Sequence, residues 1–196
     1  MKSQKIAIGL VAVALFVGSM AAHAAEFDVG VKAYNRGDYE TALRIFRQLA
    51  DQGDIDAQVN LGVMYERGKG VPQDYKEAMK WYRKAADQGY ASAQYIVGDM
   101  YDNGWGVTQD YAEAVRWHRK AANQGYAPAQ TNLGFMYSIG QGVTLDLVQA
   151  HMWYNLSAMK GKKIAREVRD LLAKVMTPAQ IAEAQRLARE WKPKGK

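Results

Sequence analysis

Between residues 54 and 161 apolar side chains recur at spacings of three and four, the period of an α-helix with one buried face. Ala57, Leu61, Met64 and Tyr65 make such a stripe, and Gly68-Lys69-Gly70-Val71 breaks it. Asp74 then offers a side-chain oxygen to the open N–H groups of a second helix. That helix carries Ala78, Trp81, Ala85 and Ala86 and stops at Gly89, the residue type that turns left-handed past a helix end at no steric cost. The pattern predicts two antiparallel helices. It is then written twice more, with Asp110, Ala114, Trp117, Ala121, Ala122 and Gly125, and with Asp146, Ala150, Trp153, Ser157, Ala158 and Gly161, in the same places.

Three blocks of equal length align without a gap: Asp54–Gly89, Tyr90–Gly125 and Tyr126–Gly161. The first two agree at 20 of 36 positions and the last two at 16 of 36, which makes them a tandem array. A glycine recurs inside each first helix, at Gly62, Gly98 and Gly134. Mid-helix glycine costs roughly 1 kcal/mol against alanine. Its return at one register predicts a helix–helix approach too close for a Cβ.

The two halves of each block, A-x-x-x-L-G-x-M-Y-x-x-G-x-G-V and D-x-x-x-A-x-x-W-x-x-x-A-A-x-x-G, resemble the Sel1-like repeat family. The resemblance implies an all-α fold, an α/α solenoid (a superhelix) of helix-turn-helix units related to tetratricopeptide repeats, with a longer glycine-containing loop. About ten helices and no strand are expected. Residues 25–53 resemble the shorter tetratricopeptide version, with a tight turn at Gly37-Asp38-Tyr39 and a stripe of Ala42, Phe46 and Ala50, and are read as an N-terminal capping unit. Residues 54–89, 90–125 and 126–161 are the Sel1-like repeats. Residues 162–196 are read as C-terminal capping helices with a basic tail. There, Ile164, Val168, Leu171 and Leu172 predict an amphipathic helix, and Thr177-Pro178-Ala179-Gln180 reads as a capping box opening a last helix to about Trp191. This ending resembles that of exported bacterial members of the family.

Residues 1–24 read as a secretory signal peptide. Lys2 and Lys5 precede the uncharged apolar run Ile6–Val17, and Ala22-His23-Ala24 places small residues at a cut before Ala25. Twelve apolar residues fall short of the ~20 that cross a bilayer as a helix, so no transmembrane segment is expected in the mature chain. The expected location is the periplasm or outside the cell.

Composition limits the chemistry. With no cysteine in the chain, disulfides, thiolate metal sites and a cysteine nucleophile are excluded. Ser157-Ala158-Met159-Lys160 spells S-x-x-K, the spacing of a serine–lysine nucleophile, and the cysteine-rich branch of the family has members described as penicillin-binding or β-lactam-hydrolysing. Yet Ser157 holds the small packing position of Ala85 and Ala121, and no S-D-N or K-T-G accompanies it. His118 and His151 stand where other blocks have Tyr82 and Tyr154, or Met79 and Val115, without a second ligand one turn away. Asp74, Asp110 and Asp146 are explained as caps. The reading is therefore a non-enzyme with no cofactor and no metal site.

Binding residues are sought where the repeats disagree, because identical positions pack unit on unit. Resemblance to the tetratricopeptide fold puts the first helix of each pair on the concave surface. Its variable positions are Val59, Asn60, Val63 and Glu66, then Tyr95, Ile96, Asp99 and Asp102, then Thr131, Asn132, Phe135 and Ser138. Asn60 and Asn132 are candidates to pair with a ligand backbone, Tyr95 and Phe135 to anchor side chains, and Asp99 to add charge. Trp105 joins them, since Lys69 and Gln141 hold its loop position. Charge is uneven: residues 25–125 carry 13 basic against 15 acidic side chains, and residues 126–196 carry 11 against 5. The basic end, with Lys192, Lys194 and Lys196, suits contact with an anionic surface. Export argues against nucleic acid as partner. The expected role, implied by the family resemblance, is an adaptor or regulator in the cell envelope or at a host interface that binds protein or peptide partners. A cell-wall glycan-binding module or hydrolase is the alternative.

Overall fold

A computed structural model describes residues 23–194. Ten helices and no strand are found among them. They fall into two compact units, one up to Gln73 and one from Asp74 onwards. The proposed leader, residues 1–24, lies outside the described residues except for His23 and Ala24. Among the described residues no helix is long and apolar enough to cross a membrane.

The first unit holds α1, described over residues 23–35, α2 (Tyr39–Asp51) and α3 (Ile55–Arg67). Asp38 and Asp54 accept from the open N–H groups of Thr41 and Ala57 and so start α2 and α3. Ala42, Ile45, Phe46, Leu49 and Ala50 bury one stripe of α2, and Ala57, Leu61 and Met64 do the same on α3. His23 Nε2 lies 2.8 Å from Asp54 Oδ2, joining the first described turn of α1 to the start of α3.

The second unit contains α4 (Tyr75–Asp87), α5 (Ala91–Asn103), α6 (Tyr111–Asn123), α7 (Ala127–Ile139), α8 (Leu147–Met159), α9 (Lys163–Ala173) and α10 (Pro178–Glu190). Asp74, Asp110 and Asp146 cap α4, α6 and α8, as their spacing predicts. The repeated tryptophans Trp81, Trp117 and Trp153 are buried. Burying a side chain of that size stabilises by about 1.5–3 kcal/mol, which is why the register conserves it from block to block.

Two devices join successive repeats. A buried glutamine on each first helix, Gln94 on α5 and Gln130 on α7, donates to the Ala86 and Ala122 carbonyls at the end of the preceding helix, adding a second donor to the Gly89 and Gly125 N–H groups that already reach them. Gln58 does the same to Ala50 in the first unit. The second device is the loop. Gly106 turns left-handed at φ +71°, and a Cβ there would stand 2.2 Å from the Tyr75 carbonyl oxygen; Gly142 meets Tyr111 in the same way. The glycine-x-glycine loop therefore lies directly on the first turn of the helix one repeat earlier.

The C-terminal helices depart from the repeat. Thr177 and Gln180 form the expected capping box, and α10 packs on α8 rather than on α9, with Trp191 edge-on to Trp153. On α9 the expected stripe is corrected: Val168 and Leu172 pack with Ala165 against Tyr154 and Ala158, whereas Ile164 and Leu171 are exposed. A stripe of four residues was too wide, because among the described residues α9 packs chiefly on α8.

Candidate functional site

The first helices of the second unit, α5 and α7, bring three sequence candidates together. Tyr95 and Asp99 lie one turn apart on α5. The Tyr95 side chain lies near the Asp99 carboxylate and favours its charged form, and the Asn132 amide of α7 donates to Asp99 Oδ1 at 3.0 Å. Tyr95 also packs its ring on Tyr126, the residue before α7, with centroids 5.5 Å apart. One turn further on, Asp102 accepts from the Gln141 side chain at 3.0 Å. Two carboxylates on α5 thus each take one amide donor from the following repeat.

Beneath them lies His118 of α6. Its side chain is 1% exposed, against 26% for Asp99, and its Nε2 stands 3.6 Å from Asp99 Oδ1. That separation is contact, too long for a hydrogen bond. Both ring nitrogens lack a hydrogen-bond partner among the described residues. Leaving a buried polar group unpaired costs about 1–3 kcal/mol. Gly98 makes the arrangement possible, since a Cβ there would stand 2.7 Å from the imidazole Cε1 and Nδ1. The close approach expected at this glycine is real, and the group approaching is a histidine. At Gly134 it is the Tyr154 ring, 3.0 Å away.

Burial sets the protonation states. It pushes Asp99 up to about 6, with the nearby Asp102 charge adding to the rise and the Tyr95 and Asn132 hydrogen bonds opposing it. Burial also raises Asp102. The same desolvation lowers His118 to about 4, so its imidazole is neutral at pH 7 and makes no ion pair with Asp99. Burial and the Asp99 charge raise the Tyr95 hydroxyl well above the usual phenol range, leaving it a donor.

The other candidates are placed separately. Phe135 is 51% exposed on α7, one turn from Asn132. Trp105 is exposed but stacks on Tyr75, with centroids 6.0 Å apart. Asn60, in the first unit, donates to the Asp56 carbonyl of its own helix. Sequence reasoning passed over His118 and Gln141, reading both as ordinary substitutions within the repeat.

The S-x-x-K motif has no nucleophile geometry. Ser157 is fully buried, donates to the Ala127 carbonyl and lies 2.7 Å from the Thr131 hydroxyl, while Lys160 Nζ donates to the Gly125 carbonyl. Among the described residues no three His, Asp or Glu side chains converge to hold a metal ion.

The Sel1 repeat model matches four consecutive spans, residues 23–54, 55–90, 91–126 and 127–162. The chain belongs to the Sel1 repeat family. Family members of this fold build scaffolds typical of protein–protein interaction modules. Among solved structures, c5321, a protective antigen present in uropathogenic Escherichia coli strains, displays an SLR fold. It is 32% identical over 89% of this chain and 38% of its own, with a TM-score of 0.77. A Sel1 repeat protein from Oxalobacter formigenes is 34% identical over 71% of this chain and 57% of its own, with a TM-score of 0.67. The chain thus spans well under two thirds of either relative. Helicobacter pylori cysteine rich protein B, at 18% identity and a TM-score of 0.54, shares the fold. Comparison with curated proteins finds no match.

Proposed function

We propose that the chain is an exported, non-catalytic scaffold that binds a protein or peptide segment along the face formed by α5 and α7, as an adaptor in the cell envelope or at a host interface. One observation carries this reading. Many positions at which the repeats agree, such as Ala93, Gln94, Gly98, Met100 and Trp117, are buried packing groups, whereas Tyr95, Asp99, Asn132 and Phe135, where they disagree, keep accessible surface on neighbouring helices. Solenoids bind with what varies from unit to unit. The likeness to c5321, a protective antigen, supports a host-facing role. The apolar run with its basic start supports export, and the basic C-terminal tail supports an accessory contact with an anionic surface.

The test is affinity capture from envelope extract with the wild type and with a Phe135→Ala, Asp99→Asn variant, read by mass spectrometry. The expected result is a defined protein retained by the wild type and lost by the variant. Equal retention by both overturns the proposed face.

A second reading, a cell-wall glycan-binding module or hydrolase, draws on Asp99 alone, a carboxyl titrating near neutrality and partly open to solvent. It predicts wall-fragment binding or release that Asp99→Asn abolishes. A wild type that neither binds nor releases fragments overturns it.

A further inference from the structure

Gln124, just past α6, clamps the start of its own repeat. Its Nε2 donates to the Gly89 carbonyl at 2.9 Å and to Gln94 Oε1 at 2.8 Å. One repeat on, Lys160 holds that position, while Gly125 and Gln130 hold those of Gly89 and Gln94. Lys160 Nζ still donates to the Gly125 carbonyl, at 2.6 Å, but makes no bond to Gln130 Oε1. That oxygen sits on a fully buried side chain and has no hydrogen-bond partner among the described residues. The exchange of glutamine for lysine has opened the clamp and left an acceptor wanting a donor.

A cavity of about 520 Å³ lies at this place between α7, α8 and α10, with Gln130, Leu156, Met159, Lys160, Arg189 and Trp191 among its walls. Small-molecule sites occupy about 300–1,000 Å³. Three of these walls depart from the repeat. Leu156 stands where earlier blocks have Lys84 and Lys120, Met159 where they have Asp87 and Asn123, and Lys160 where they have Gln88 and Gln124. The packing of α10 on α8 accounts for Leu156, which is 5% exposed. It does not account for Met159, which lines the cavity and is still 74% exposed.

Charge at the cavity is one-sided. Lys160 and Arg189 line it, and none of its lining side chains is acidic. Glu183 and Glu190, the acids of α10, both pair with Arg186. Arg189 has no ion pair among the described residues. The walls therefore call for three things in one ligand: an anion, an apolar body and an N–H donor.

We propose that this cavity binds the carboxy-terminal residue of a peptide that ends in an apolar side chain. The carboxylate meets Lys160 and Arg189, and the apolar side chain lies against Leu156, Met159 and the Trp191 ring. The residue's own N–H supplies the donor that Gln130 Oε1 lacks. The cavity shares no residue with Tyr95, Asp99, Asn132 and Phe135, so a failure of the α5–α7 face to capture a partner leaves this site standing.

The test is an NMR titration of the full-length protein with Nα-acetyl-phenylalanine and with the tetrapeptide Ala-Ala-Ala-Phe. Saturable shifts at the Trp191 indole N–H and the Gln130 side-chain amide are expected with both. Nα-acetyl-phenylalanine amide lacks the charge, 3-phenylpropionate the N–H and Nα-acetyl-alanine the apolar body, and each is expected to bind about tenfold more weakly or worse. Lys160→Gln restores the clamp of the preceding repeat and removes a cation, and is expected to weaken the acid by about tenfold. Arg189→Gln should weaken it too, and Arg116→Gln on α6 should leave it unchanged. No saturable binding, an amide that binds as tightly as the acid, undiminished binding by a folded Lys160→Gln variant, or shifts confined to other helices would each overturn the proposal. A tetrapeptide that binds more weakly than Nα-acetyl-phenylalanine would overturn the peptide as the source of the ligand.

Discussion

Asn132 on one repeat donates to Asp99 on the repeat before it, across 33 residues of chain and 3.0 Å of space. The bond closes the junction between α5 and α7 with a charged acceptor and favours the Asp99 carboxylate against the burial that raises it. Removing the donor by Asn132→Ala is expected to raise Asp99 further above about 6, since a hydrogen bond that favours the carboxylate is lost. Carboxyl-carbon NMR titration reads the value directly. An unchanged or lowered value would remove Asn132 from the site.

Asp99 and His118 respond to acid in opposite senses. Asp99 is raised from 3.8 to about 6 in the fold, so the folded state binds its proton more tightly than the unfolded chain does. Its contribution to stability therefore increases as pH falls from about 6 to about 4. His118 is lowered from 6.5 to about 4, so the unfolded chain binds its proton more tightly, and stability is lost as pH falls through the same interval. The wild type is expected to show these two effects largely offsetting, over the background of the other carboxylates. Relative to it, Asp99→Asn should lose stability between pH 6.5 and 4, and His118→Tyr should gain. Urea midpoints across that range measure both, and parallel curves for all three proteins would contradict the assigned shifts.

Gly98→Val is expected to destabilise the second unit by more than ~1 kcal/mol. A Cβ at Gly98 meets the imidazole of a fully buried histidine at 2.7 Å, and packed neighbours leave that ring nowhere to go. Thermal or denaturant unfolding checks this, and a neutral result would sink the close-approach argument.

Gly106→Ala is expected to cost more than Gly98→Ala. It meets the Tyr75 backbone at 2.2 Å rather than a side chain, and it forces a Cβ into the left-handed region at φ +71°. The conformational part alone is about 1–2 kcal/mol. Equal costs in paired unfolding curves would show that the loop does not rest on Tyr75.

Thr177→Ala removes the oxygen that accepts from Gln180 N and breaks the capping box at the start of α10. A loss of about 1 kcal/mol is expected. Faster amide exchange in the first turn of α10, with α5 and α6 unaffected, distinguishes the cap from a global effect.

How far the residues announced all this follows from what each signal encodes. Asp74, Asp110 and Asp146 act on N–H groups two or three positions away, so their caps are readable from spacing alone. The Trp81, Trp117 and Trp153 register gave the helix pairs, because burial repeats with the unit. Gly98 was readable as a close approach, but not what approached it. That depends on His118, which belongs to the next helix, and a single histidine in a tyrosine register looks like an ordinary exchange. The Asp99–Asn132 and Asp102–Gln141 bonds join residues 33 and 39 apart, and no local pattern fixes such pairings. Exposure of Ile164 and Leu171 was hidden for a related reason: periodicity shows that α9 is amphipathic, but the neighbouring helix decides how wide a stripe is covered.

The central claim is that partners dock on the face shared by α5 and α7. Site-specific photo-crosslinking in intact cells tests it most directly, with the reactive group placed at Phe135 on that face and, as control, at Arg116 on the outer side of α6. The account predicts one discrete adduct from Phe135, weakened when Asp99→Asn is combined with it, and none of that mass from Arg116. The same adduct from both positions, or an adduct from Arg116 alone, would contradict it.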